Sequence, residues 1–244
     1  HARNKPGIFY TYTMFDCIVS LTSWKGRINH PDLPKVLFSI INQKTKYNCH
    51  IVFVLSLEEF PNKEQDLPQL ILDIIDYSKI EIIWTQDNLK AYKKLYPVQK
   101  LYPNIPIMTT DDDIILNSDI VETYMNEYTK NPKNILTEIG HSLNKYCRSV
   151  GFTFRMFRLF PPHSLFELDS SYFVKYFNKN DDDAYMAVLA WIKHTNIKSM
   201  RTNKAHEIQN NDYKSTALRN QYKKQSPDKC GMNLVNALKK EGKI

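Results

Sequence analysis

The chain has 244 residues, of which 42% are hydrophobic and 24% charged, the balance of a globular protein. It holds no run of about 18 or more apolar residues, so no membrane-spanning helix is expected, and His1 to Lys5 lack the apolar core of a signal peptide. The formal net charge is +7, and the excess is uneven: from Lys193 to Ile244 there are twelve Lys or Arg against four Asp or Glu.

In chain order, residues 18–22 are short, apolar and β-branched, which predicts a first strand. Pro34 suits the first turn of a helix, with Val36, Leu37, Ile40 and Ile41 as its apolar stripe. Residues 50–55 are nearly all apolar, as a strand buried on both faces should be. A helix is predicted over 66–77, a strand over 79–84, a helix over 97–101 and a strand over 105–108. This alternation predicts an α/β fold, a mostly parallel central sheet flanked by helices, with right-handed crossovers. A further helix runs from Ser118 to about Lys130, with Ile120, Val121, Tyr124 and Tyr128 on one face. The second half is less regular. Strands are expected at 134–137, 151–154 and 196–200, a helix over 182–194, and Lys-rich helices near 213–224 and 232–240. The rings of Phe152, Phe154, Phe157, Phe160, Phe166, Tyr172 and Phe173 read as core, with one or two left to line an acceptor site. Cys17, Cys49, Cys147 and Cys230 lie far apart and form no C-x-x-C pair, so buried free thiols in a reducing cytosol are expected.

There are six glycines, and no P-loop, no G-x-G-x-x-G and no G-x-S-x-G. The chain is therefore not read as a P-loop enzyme, a standard dinucleotide dehydrogenase or an α/β-hydrolase. The most informative stretch is Thr109-Thr110-Asp111-Asp112-Asp113-Ile114-Ile115-Leu116. Its acids fall on a turn at the carboxyl end of a strand, where open α/β sheets place their ligands. Adjacent carboxylates repel unless a cation neutralises them. A hard divalent ion, Mn²⁺ or Mg²⁺, held by one or two carboxylates and by substrate phosphates, meets that need. The alternative is a solvated acidic turn, with Asp119 facing a helix dipole.

Three other segments carry candidate chemistry. Thr22, Ser23, Trp24 and Arg27 follow the first strand and suit a nucleotide, Arg27 as a fork-shaped phosphate donor. Asn88 and Lys93 or Lys94 follow the third strand and open on the same edge, where a lysine can neutralise a diphosphate. Asp181, Asp182 and Asp183 open a helix, and three acids exceed what capping needs. Two acidic clusters suggest a division of roles, one for metal and one for a general base within hydrogen-bond reach of an acceptor hydroxyl. His206 is a candidate third metal ligand through a ring nitrogen. A polar surface loop, an exposed basic helix start and an ordinary surface histidine are the competing readings.

On these segments the chain resembles nucleotide-sugar-dependent glycosyltransferases of the GT-A fold, family 2-like, of bacterial polysaccharide or lipooligosaccharide assembly. The resemblance covers about residues 16–196. Residues 18–27 look like the first strand and nucleotide loop, and residues 92–97 like the lysine-bearing segment. Residues 110–115 look like the D-x-D motif, and Asp182-Asp183-Ala184-Tyr185 like the acidic pair that opens the acceptor-side helix. It implies a single domain, with a nucleotide-sugar half at about 16–116, an acceptor half at about 117–200 and a basic helical tail at 201–244. Asp111 and Asp113 would be the D-x-D pair, Asp111 facing the ribose or uracil side and Asp113 the metal, with Asp111 and His206 as further metal ligands and Asp112 also on the donor side. Asp182 or Asp183 would be the base, the extra Asp181 leaving the register open. The implied activity is metal-dependent, inverting transfer from a UDP-sugar to a glycan or lipid-linked acceptor. The implied location is cytoplasmic, with the basic C-terminal segment meeting an anionic membrane and no nucleic acid as partner. The alternatives are a metal-dependent phosphoesterase or nuclease, and an inactive carbohydrate- or nucleotide-binding module.

Overall fold

The structure is a computed structural model that describes residues 15–141, 153–208 and 226–244. Four parallel strands form its first half: β1 (Cys17–Thr22), β2 (Cys49–Ser56), β3 (Glu81–Thr85) and β4 (Ile107–Thr109). Their spatial order is β3-β2-β1-β4, so the chain winds outward from β1 on one side and then crosses back to pair β4 on the other. The order therefore reverses between β1 and β4, and the crevice outside their carboxyl ends is where such sheets bind ligands. Every residue of β1 is buried, which explains why its sequence is apolar rather than alternating.

Two strands beyond β4 complete the sheet from the second half, with a short third at the edge. β7 (Thr153–Phe160) pairs antiparallel with β4, β6 (Ile135–His141) antiparallel with β7, and β8 (Ile197–Ser199) parallel with β6. Only β7 runs against the other strands of this seven-stranded sheet. A separate two-stranded sheet joins β5 (Ile114–Leu116) to β9 (Ala205–Glu207).

Helices cover both faces of the large sheet. On one face α1 (Leu33–Ile41), α2 (Gln69–Ser78) and α4 (Ile120–Lys130) pack on Val19, Leu21, Phe53 and Met108. On the other, α3 (Tyr96–Leu101), α5 (Ser170–Phe177), α6 (Asp182–Ile192) and α7 (Pro227–Lys240) pack on Ile18, Val52, Val54, Ile107 and Phe160. Residues 184–190 of α6 are all buried, so this helix lies inside the second core and its first turn is held firmly. Each fully buried Leu or Phe there contributes roughly 1.5–3 kcal/mol.

The parallel half and the helix that follows it agree with the sequence pattern, with shifted ends. Helix α2 starts at Gln69, after Pro68 in extended conformation at its N-cap position, and Lys63–Asp66 is a separate 3₁₀ turn. It stops at Lys79, in the left-handed conformation, so β3 begins at Glu81 and not at residue 79. The second half needs larger corrections. β5, β9 and α5 were not anticipated. The strand expected over 151–154 runs on to Phe160, and the last helix starts at Pro227, capped by Ser226, not at residue 232. The helix expected near 213–224 lies outside the described residues. Asp119 precedes α4, but its carboxylate bonds Lys204 Nζ at 2.6 Å and makes no cap.

Candidate functional site

Asp111, Asp112 and Asp113 leave the end of β4 beside the loop that leaves β1, at the point where the strand order reverses. At the end of β1 Thr22 Oγ1 donates to the Val54 carbonyl at 2.6 Å, and in the loop Ser23 Oγ donates to Asp112 at 2.7 Å. Arg27 donates to Asp112 at 2.5 Å and reaches Asp113 at 3.2 Å. Asp112 therefore ties the two loops together, and its side chain is only 8% exposed. Trp24 folds back over Gly26, so a Cβ there would displace the indole ring.

The turn after β3 supplies two lysines with different partners. Asn88 accepts the Lys90 backbone N–H at 2.9 Å and starts the 3₁₀ turn Lys90–Lys94. Lys93 Nζ pairs with Glu59 at 2.9 Å, and burial against that single close partner pulls its ammonium below the usual lysine range. Lys94 Nζ lies 2.5 Å from Asp111 and 3.0 Å from Asp182. Burial alone would lower it, but Asp111 and Asp182 hold it above its ordinary value. One ammonium thus joins the two acidic clusters.

A second cation does the same. Arg158 lies on β7, and its side chain is 2% exposed. Its guanidinium meets Asp111 at 3.1 Å and Asp183 at 2.7 Å. Burial would raise Asp111, but Arg158 and Lys94 hold it well below the usual carboxylate range. Five carboxylates (Asp111, Asp112, Asp113, Asp182, Asp183) meet three cations (Arg27, Lys94, Arg158) in these ion pairs. Two of the carboxyls are shifted upward. Burial and repulsion by Asp112 and Asp111, against the pull of Arg27, push Asp113 up to about 6. Burial and Asp182, against the pull of Arg158, push Asp183 up to about 7. Both side chains keep about 30% exposure and can be reached from outside.

His206 sits on β9 opposite Ile115 of β5, with its side chain exposed. The Ile208 N–H donates to the Asp113 carbonyl at 2.9 Å, so the pairing of β5 with β9 brings this segment to the acidic turn. Buried Glu138 clamps the approach to β9 by accepting from Thr202 Oγ1 at 2.7 Å and from the Asn203 N–H at 2.6 Å. Among the described residues, no three His, Cys, Asp or Glu side chains converge closely enough to hold a metal ion by themselves. Of the expected aromatic core, Phe157, Phe160 and Phe173 are buried, while Phe152 and the side chain of Phe154 lie outside what is described. Sequence reasoning missed Arg158, Glu59 and Glu138. For Arg158 a signal existed, a charge set inside the apolar run Met156-Phe157-Arg158-Leu159-Phe160.

No protein-family profile matches the chain, and no characterised protein matches it by sequence. Solved structures do. A 1–349 fragment of S. aureus TarS in complex with UDP is similar over 78% of this chain and 59% of that one, at 10% identity and a TM-score of 0.51. The fold is GT-A-like. The mannosyltransferase PcManGT from Pyrobaculum calidifontis, in complex with GDP-Man and Mn²⁺, aligns over 96% of this chain and 77% of that one at 10% identity, with a TM-score of 0.49. A cytidylyltransferase from Leptospira borgpetersenii aligns over 94% and 96% at 12% identity, with a TM-score of 0.44. The chain spans 59% of the TarS fragment's length, and no helix among the described residues is long and apolar enough to cross a membrane.

Proposed function

We propose that this chain is a metal-dependent, inverting glycosyltransferase that moves a sugar from a UDP-sugar to a hydroxyl of a glycan or lipid-linked acceptor. The observation that carries the reading is the bridging of the two acidic clusters by Lys94 and Arg158 in the crevice at the strand-order reversal. A donor-side carboxylate and an acceptor-side carboxylate are thereby held in one network, as transfer between two substrates needs. The UDP bound to the TarS fragment supports uridine as the donor's nucleoside.

The donor set suits a hard divalent cation. Carboxylates crowd this crevice, and Asp113 is both reachable and pushed up by burial and by its acidic neighbours. Asp113 would hold Mn²⁺ or Mg²⁺, with Asp111 and His206 as further candidates and the diphosphate as co-ligand. When bound, the ion stabilises the charge that grows on the leaving diphosphate. Thr22, Ser23, Trp24, Asn88 and Lys93 shape the donor crevice, and Arg27 is the phosphate-facing cation. Asp183 takes the acceptor hydroxyl's proton, while Asp182, tied to Lys94, holds the helix start in place. Inversion follows from one displacement at one face. The basic C-terminal segment meets an anionic membrane where lipid-linked acceptors lie.

A thermal melt tests this reading. UDP with Mn²⁺ raises the melting point by mass action, whereas UDP alone gives little or no shift. Asp113→Asn abolishes the Mn²⁺-dependent shift. Without ligand the variant melts no lower than the parent, because the change removes repulsion from Asp111 and Asp112. A Mn²⁺-dependent UDP shift that survives Asp113→Asn would remove Asp113 from the metal site. The absence of any nucleotide shift in the parent would remove the donor reading.

A further inference from the structure

The end of the sheet opposite the candidate site carries a second pair of reactive groups. Cys17 and Cys49, 32 residues apart in the chain, are register partners at the first position of β1 and β2. Their Sγ atoms lie 2.7 Å apart, and both thiols are free. Neighbouring strands run about 4.8 Å apart, inside the Cα separation of roughly 4.4–6.8 Å that a disulfide spans. Register partners also project to the same face of a sheet. We propose that Cys17 and Cys49 form a dithiol modification site, which a small-molecule disulfide oxidises to an intramolecular disulfide.

The two sulfurs differ in a way that sets the order of events. Cys17 is fully buried and Cys49 is partly exposed, so the oxidant reaches Cys49. The contact with Cys49, and then burial, push the Cys17 thiol up, so it stays protonated until Cys49 has reacted. With oxidised glutathione as the oxidant, the Cys49 thiolate attacks one glutathione sulfur and expels the other half as a thiolate. The Cys17 sulfur then attacks the Cys49 sulfur, and its proton leaves with the second glutathione, which is expelled as the thiol. Two protein thiols are oxidised, and one glutathione disulfide is reduced to two thiols. The new bond staples β1 to β2 and limits the unfolded chain, which stabilises the fold. It lies a whole strand, roughly 17 Å, from Thr22 and the donor loop.

The test uses the full chain. It is incubated with oxidised glutathione, its remaining thiols are alkylated, and it is mapped by peptide mass. The expected result is a loss of about 2 Da, one bond's worth of hydrogen, a peptide linking Cys17 to Cys49, and a melting point raised by several degrees. Dithiothreitol reverses all three, and Cys49→Ala shows none of them. Alkylation of both cysteines after oxidation would overturn the proposal. So would glutathione retained on Cys49, or a link from Cys49 to Cys147 or Cys230.

Discussion

Asp183→Asn is expected to lower kcat by about 10²–10⁴-fold, the usual contribution of a positioned general base, while leaving UDP affinity in Mn²⁺ unchanged. Two features single out Asp183 over its neighbour. Asp182 is 13% exposed at its side chain and lies against the Lys94 ammonium, whereas Asp183 keeps 29% exposure. Its carboxyl is also pushed up to about 7 by burial and by Asp182, despite Arg158, and a base of that strength takes a proton near neutral pH more readily than an ordinary carboxylate. Under the proposed function, turnover by the parent chain should therefore rise with pH through about 7, because Asp183 must be ionised to act as the base. Stability moves the other way. The folded pKa lies above that of an unfolded Asp, so the native state binds the extra proton, and this contribution fades as pH rises from about 4 through 7. In Asp183→Asn both the rising limb of turnover and that loss of stability should vanish. Initial rates and urea midpoints across pH 4–9 check both. If Asp182→Asn abolishes turnover and Asp183→Asn does not, the base is misassigned.

The legible part of this chain is the part whose chemistry is local. β1, β4 and the second half of β2 are buried, so a mostly apolar run marks each of them, whereas the edge strand β3 buries only Ile83, and the acids that follow β4 stand out directly after its apolar run. The crevice itself was readable, since three loops after parallel strands must open on one edge. β5 and β9 have three residues each, too few for any periodicity to register, and they pair across 90 residues of chain. Arg158 was hidden for a similar reason. Its partners, Asp111 and Asp183, lie on other elements, and a hydrophobicity pattern reports which face is buried but not what an enclosed charge is paired with. The two lysines, equivalent in sequence, separate only in three dimensions. Lys93 serves Glu59, whereas Lys94 serves both acidic clusters.

Arg158→Met tests whether that enclosed charge holds the two halves of the site together. Removing one partner of a buried ion pair typically costs about 3–5 kcal/mol, because it leaves uncompensated charge behind. The low end is expected here, since Asp111 and Asp183 retain about 30% exposure and water can partly replace the guanidinium. Arg158→Lys keeps the charge but loses the fork that meets Asp111 and Asp183 through separate nitrogens, so it should recover stability only in part. The decisive comparison is the double change. With Asp183→Asn present, Arg158→Met strands one fewer carboxylate and should cost less than it does alone, a coupling read from a double-mutant cycle in urea. Arg158 lowers the Asp183 pKa from the value that burial alone would set, which bears on the proposed catalysis. Any residual turnover of Arg158→Met should therefore rise with pH at a higher midpoint than the parent's. Independent, additive stability effects with an unmoved pH midpoint would mean that Arg158 merely fills space in β7. Coupling together with an alkaline shift would identify it as the residue that positions the base against the donor site.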